Sequence, residues 1–227
     1  MDENPILRGV QRQIDGATTF FRDAFVSLWV NGISGDYVEF GSWGAATLRV
    51  AYEESRDAHV RRHLWAFDSF EGLPPPTDSR DEHPGWSSGG AGQGGVDEFH
   101  KACAAQGIPR DAYTAVAGYY EDSLPAIGAG EPTDIALAYV DCNMYSSTVS
   151  VLRFLAPRLK HGMILAFDDY FCWSPENVSA ERSAFYEFTV AHPEWHFERF
   201  HDVHRAGISY VVERADRLTL GDNPFLT

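Results

Sequence analysis

Cations are scarce in this chain. Its 227 residues carry 18 Lys+Arg against 33 Asp+Glu, a formal net charge of −15. A surface this acidic repels phosphate backbones, which argues against a nucleic-acid binder or a binder of anionic membranes and suits a bound cation. Long apolar runs are missing as well. None reaches the roughly 18 residues of a membrane helix, and the N-terminal MDENPILRGVQRQID is charged and lacks the apolar centre of a signal peptide. The expected compartment is therefore the cytoplasm. Cysteine is sparse and odd in number: Cys103, Cys142 and Cys172 stand at unrelated spacings, which fit neither a disulfide framework nor a zinc site and read as reduced thiols. Several signatures are absent too. The turn after the first expected strand, Gly41-Ser42-Trp43-Gly44, lacks G-x-G-x-x-G spacing, no Gly-Lys-Ser/Thr follows the glycines of 89–95, and there is no H-E-x-x-H among the nine histidines and no Tyr-x-x-x-Lys. A P-loop and a zincin site are excluded, and a nicotinamide dehydrogenase is disfavoured. His201 and His204, near the end of the chain, read as surface or edge residues.

What is present is a core and an alternation of elements. Hydrophobic residues make up 44%, enough for a sizeable core, and the length suits one domain spanning 1–227. Phe20, Phe21, Ala24, Phe25 and Leu28 recur at helical spacing, so 1–35 reads as a helical N-terminal extension with one apolar face. That face has two candidate partners, the sheet or a second copy of the chain in a homodimer. Strands are expected at Asp36–Gly41, His63–Phe67, Tyr113–Ala117, Ile135–Val140 and Met163–Phe167, with helices at Ala45–Ser55, Val96–Gln106, Thr148–Leu159 and Ala180–Ala191. Two last strands, His196–Phe200 and Ile208–Glu213, are separated by too few residues for a crossover helix and are expected to pair antiparallel. The fold class is α/β: seven strands, mainly parallel, ending in an antiparallel hairpin. One segment departs from the alternation. Residues 73–95, LPPPTDSRDEHPGWSSGGAGQGG, carry too much Pro and Gly for helix or strand and read as a long loop, ordered or mobile.

Acidic residues collect at the carboxyl ends of these strands, where open α/β sheets bind their ligands. Glu39-Phe40-Gly41-Ser42-Trp43 is a strand running into a small-residue turn. It is either a tight βα turn or a point where a ligand approaches the backbone. Asp68, followed by Ser69, ends the second strand. It is either a helix N-cap or an acceptor for the two hydroxyls of a ribose, and its distance from the glycine turn favours the ribose. Asp141, with Asn143 behind it, and Asp168-Asp169 end the fourth and fifth strands. Crowded carboxylates repel one another, and a divalent cation removes that repulsion. An all-oxygen set favours Mg²⁺, Mn²⁺ or Ca²⁺ over zinc.

DYVEFGSWGAATL, WAFDSFEGLPPP, GYYEDSLP and ALAYVDCNMYSSTVSVLRFLAPRLKHGMILAFDDY resemble the macrocin-type (TylF-like) O-methyltransferases, well over about residues 36–172 and loosely at both ends. The resemblance implies the class I S-adenosylmethionine-dependent methyltransferase fold, Rossmann-like, with helices on both faces of the sheet. It implies transfer of a methyl group to a hydroxyl of a small natural-product acceptor, a sugar or a phenol. By position, Glu39, Gly41, Ser42 and Trp43 match the turn around the methionine part of the cofactor, Asp68 and Ser69 the ribose site, and Gly118 and Tyr119 the adenine edge. Asp141, Asp168 and Asp169 match a Mg²⁺ (or Mn²⁺) site that holds two substrate oxygens, and the loop with Trp86 would close over the acceptor. Two departures stand out. Ala45 and Ala46 replace the usual paired glycines, and the D-x-D-M-Y pattern reads Asp141-Cys142-Asn143-Met144-Tyr145 here. Asn143 takes no proton at neutral pH, so of the catalytic pair Asp141 and Asn143 only the first is an acid. A catechol-type phenolic acceptor, or a cofactor-binding module that has lost catalysis, are the rival readings.

Overall fold

A computed structural model describes residues 5–58, 62–92 and 94–218. Residues 1–4 of the N-terminal extension, Gln93 of the loop and the stretch from 219 onward lie outside the described residues. Five strands, β1 (Asp36–Phe40), β2 (Leu64–Asp68), β3 (Tyr113–Ala117), β4 (Ile135–Val140) and β5 (Ile164–Phe167), run parallel. β6 (Trp195–Asp202) and β7 (Ile208–Arg214) form the antiparallel hairpin, with β7 inserted against β5. The sheet order is β3-β2-β1-β4-β5-β7-β6. From β1 the chain builds outward through β2 to β3, then returns to the other side of β1 with β4. At that reversal the connections leave in opposite directions and a crevice opens at the carboxyl ends of β1 and β4.

The parallel strands are buried on both faces, which is why they appear in the sequence as nearly unbroken apolar runs. Their side chains alternate. Tyr37, Leu137, Tyr139, Ile164 and Ala166 face one cluster with Phe20, Phe21, Phe25, Leu48 and Phe99. Val38, Phe40, Ala138, Val140, Leu165 and Phe167 face the other, with Leu124, Val151, Leu155 and Phe185. The first layer is built by α1 (Pro5–Val30), α2 (Ala46–Asp57) and α3 (Val96–Ala105), the second by α4 (Tyr120–Ile127), α5 (Tyr145–Leu155) and α6 (Ala180–Ala191). Phe20, Phe21, Phe25 and Leu28 of α1 are at most 1% exposed within a single chain. The apolar face of the N-terminal helix is thus satisfied by the chain's own sheet. Burying each of these side chains contributes about 1.5–3 kcal/mol.

Most elements fall where the sequence places them, and the differences have simple causes. The short α4 was not expected, because it carries Pro125 and lies in the motif after Gly118. α5 starts at Tyr145 rather than at position 148, and its tail continues as a 3₁₀ turn, Ala156–Arg158. β6 is longer than expected, since an edge strand alternates charged and apolar residues and gives a weak signal. The described residues of the 73–95 loop are ordered. Asp78 caps a 3₁₀ turn at Ser79–Asp81, and Leu73 exchanges backbone hydrogen bonds with Gly89 and Gly90 at 2.9 Å each. Among the described residues no helix is long and apolar enough to cross a membrane, and all three cysteines are free.

Candidate active site

The crevice at the strand reversal holds a cavity of about 480 Å³, lined by Gly41, Trp43, Asp68, Ser69, Tyr119, Asp141, Asn143, Asp168 and Asp169 together with Pro74, Trp86 and Arg205. Of the residues singled out in the sequence, Glu39, Ser42 and Gly118 stand behind this wall rather than in it. The two βα turns are stitched together there. Asp68 Oδ2 accepts from Ser42 N at 2.8 Å and Oδ1 from Phe70 N at 2.7 Å, while Gly118 N donates to the Asp68 backbone oxygen at 3.0 Å. Burial raises the Asp68 pKa, and the Phe70 and Ser42 N–H groups pull it back. Ser69 adds to that pull from beside the carboxylate.

Gly41 closes the crevice at its apex. It sits at φ +95°, and a Cβ there would lie 2.8 Å from the Asp141 carbonyl carbon and deeper still into its oxygen. The glycine is thus required by the contact between the ends of β1 and β4, whatever else it does. Beneath the turn, Glu39 is fully buried. Its Oε2 accepts from the Tyr37 hydroxyl at 2.5 Å, and the Ser42 side chain lies against the same carboxylate. Burial pushes its pKa up to about 8, with the Tyr37 hydroxyl pulling the other way.

At the other end of the cavity the ends of β4 and β5 bring Asp141, Asp168 and Asp169 together, with one oxygen from each within 4.8 Å of the others. Desolvation and then the charges of Asp168 and Asp169 hold Asp141 well above the ordinary carboxylate range. Asp169 is pushed to about 6 by desolvation and by Asp168. The cluster is held by donors around it. Asn143, in the left-handed region at φ +60° that Asn tolerates, donates its amide N–H to Asp169 Oδ2. The Cys172 thiol donates to Asp169 Oδ1 at 3.0 Å, and the Tyr139 hydroxyl donates to Asp168 Oδ1.

Sequence reasoning missed several of these groups. His204 is not at the surface: its side chain is 4% exposed and its Nε2 lies 2.8 Å from Asp168 Oδ1. A turn between the last two strands gave no hint that it would fold back onto the end of β5. Glu181, fully buried on α6, accepts from Asp169 N at 2.9 Å, and desolvation followed by Asp169 and Asp168 holds its pKa well above normal. Nothing in the sequence marks it. Asp81 had a signal, the Asp78-x-x-Asp81 spacing of a capping box. Its buried carboxylate accepts from Thr77 N at 2.9 Å, Asp78 N at 3.0 Å and Ser146 N at 2.9 Å, pinning the loop to the N-terminus of α5.

With this geometry in view, the matches to known proteins become interpretable. The family model for Macrocin-O-methyltransferase (TylF) matches residues 17–192. The chain belongs to this family. One relative is the 8-demethyl-8-(2,3-dimethoxy-alpha-L-rhamnosyl)-tetracenomycin-C 4'-O-methyltransferase of Streptomyces olivaceus, 28% identical over 150 residues that cover 62% of this chain and 54% of the relative. Another is the Mycinamicin III 3''-O-methyltransferase of Micromonospora griseorubida, 29% identical over 171 residues, covering 71% of this chain and 63% of the relative. The chain thus spans less than two thirds of the length of these curated relatives. The structure of the O-methyltransferase NovP superimposes with a TM-score of 0.71 at 22% identity, covering 88% of this chain and 80% of that one. The sheet order, with β7 antiparallel between β5 and β6, is the class I methyltransferase fold.

Proposed function

We propose that the chain transfers the methyl group of S-adenosylmethionine to a hydroxyl of a small natural-product acceptor, assisted by a divalent cation, Mg²⁺ or Mn²⁺. The observation that carries this reading is a single cavity with two chemically different ends. One end has Asp68 beside the β1 turn, and the other has three converging carboxylates. The names of the two curated relatives, one of which includes a rhamnosyl group, favour a sugar hydroxyl over a phenol.

The residues fit both groups. Asp68 lines the cavity at the end of β2, beside the β1 turn, where a carboxylate would accept from ribose hydroxyls, with Ser69 next to it. Gly41, Ser42 and Trp43 would surround the methionine part, with Glu39 holding the turn from below, and Gly118 and Tyr119 would take the adenine edge. Bound there, the cofactor supplies an electrophilic methyl on a sulfonium. An all-oxygen set from Asp141, Asp168 and Asp169 suits a hard cation, which supplies Lewis acidity that lowers the pKa of an acceptor hydroxyl.

What the chain itself does is mostly positioning. In-line displacement gains most from holding two reactants in contact geometry. The loop carrying Trp86 and Pro74 walls the cavity, where it would shield the reacting groups from water. Asn143, committed as a donor to Asp169, orients that carboxylate and takes no proton. Asp141, which lines the cavity, would be the acid of this pair available to the acceptor.

The test has two arms. Calorimetry on Asp68→Ala should show S-adenosylmethionine binding weakened by about 2–3 kcal/mol; unchanged affinity removes the ribose assignment. Exhaustive EDTA, and separately Asp169→Asn, should abolish turnover while cofactor binding persists. Activity that survives both removes the metal.

A further inference from the structure

The turn between β6 and β7 folds back over the acidic cluster and is held at Val203, His204 and Ala206. Val203 N bonds to Gly207 O at 3.2 Å, and Phe171 N, two residues past Asp169, bonds to Ala206 O at 2.8 Å. From the other side α1 presses on it at Gly16, where even a Cβ would lie 3.0 Å from Val203 O and 3.1 Å from His204 Cβ. A Cβ there would push the turn away by a few tenths of an ångström.

Inside this frame the His204 ring has a defined role for each nitrogen. Nδ1 accepts from Ala206 N at 3.1 Å, so the ring proton of the neutral form resides on Nε2. Nε2 then donates to Asp168 Oδ1 at 2.8 Å. The Tyr139 hydroxyl donates to the same oxygen. Both lone pairs of Oδ1 are thereby used. Oδ2, to which no described residue donates, is the oxygen left for the cavity that Asp168 lines. Two donors on one oxygen stop the carboxylate from turning about its Cβ–Cγ bond.

We propose that His204 is a positioning residue which, with Tyr139, locks Asp168 so that a single oxygen is presented to a divalent cation, and that α1 sets the height of this clamp through Gly16. The inference rests on the metal reading given above. His204 touches neither cofactor nor acceptor; it acts through Asp168. Donors behind a ligand raise the ligand's order and are typically worth roughly 10–100-fold in metal affinity.

The experiment is calorimetric titration of Mn²⁺ and of Mg²⁺ into the full chain, parent and variants, with S-adenosylmethionine titrated in parallel. His204→Leu is expected to bind either cation roughly 10–100-fold more weakly and the cofactor as the parent does. His204→Gln, which keeps an N–H donor, is expected to recover most of the loss. A parent that binds cation and a folded His204→Leu that binds it equally well overturns the clamp alone. So does a loss that falls equally on the cofactor, since that marks general collapse. A parent that binds no cation overturns the metal reading, and the clamp with it. Gly16→Ala keeps the imidazole and favours the helix, so it serves if His204→Leu does not fold. It is expected to weaken cation binding several-fold through the displaced turn, and parent-like cation binding in it overturns the coupling to α1.

Discussion

Replacing Gly41 by alanine should be among the most damaging single-methyl additions in this protein, and Gly44→Ala is its natural control. Both glycines have positive φ, +95° and +66°. At Gly44 an added Cβ meets nothing within 4 Å, whereas at Gly41 it would lie inside the Asp141 carbonyl. The backbone term alone costs about 1–2 kcal/mol at either position. At Gly41 a second term is added. The obstacle is main chain, not the end of a flexible side chain. Both strand ends are tied: Gly41 N bonds to Phe67 O at 2.9 Å and Asp141 N to Phe40 O at 2.8 Å. Relieving the overlap requires β1 and β4 to separate by about an ångström at their carboxyl ends, and overpacking of this kind costs about 1–3 kcal/mol or more. We expect Gly41→Ala to lose about 3–5 kcal/mol in denaturant unfolding and Gly44→Ala no more than about 2 kcal/mol. Asp141 moves with the displaced strand end, so the cation affinity of any folded Gly41→Ala should fall as well. Equal losses in the two variants would refute the packing argument.

Other expectations follow from single residues. Glu39 keeps in the folded state a proton that it releases at about 4.5 when exposed, so stability falls as pH rises from there toward about 8. Glu39→Gln removes that loss, and its thermal midpoint should gain on the parent's across the window, by up to about 5 kcal/mol equivalent; parallel curves would show that Glu39 titrates normally. Asp81→Ala strands three backbone N–H groups and should cost about 2–4 kcal/mol. It should also open the 73–92 stretch to protease before global unfolding, and an unchanged digestion pattern would mean that the loop is held by other contacts. Asn143→Asp restores an acid beside Asp169. The parent rate should climb with pH toward the acceptor's own ionisation, while the variant levels off at lower pH. A parent profile that is already flat above about pH 6–7 assigns the proton to another group.

The fold was legible because parallel strands buried on both faces leave unbroken apolar runs; β3 and β4 were placed to the residue. β6 was blurred by the charges that an edge strand carries, and α4 by its internal proline. The acids of the site were legible because they sit one after another at strand ends, where the topology brings them together without any knowledge of packing. The groups that surround them were not. His204 reaches Asp168 across 36 residues, and Glu181 reaches Asp169 from inside a helix. Neither position differs, in sequence, from an ordinary surface residue. Tyr139 sits in an apolar strand where its hydroxyl gives no sign of pointing at β5.

The central claim is that one cavity binds a methyl donor at Asp68 and a cation at Asp141, Asp168 and Asp169. A crystal structure of the full chain grown with S-adenosylhomocysteine and Mn²⁺, with anomalous data collected for manganese, tests it most directly. The account predicts the ribose hydroxyls on the Asp68 carboxylate and one anomalous peak among the three aspartates, with Asp168 contributing Oδ2. Nucleoside density away from Asp68, or a cluster without a peak at saturating manganese, would contradict it.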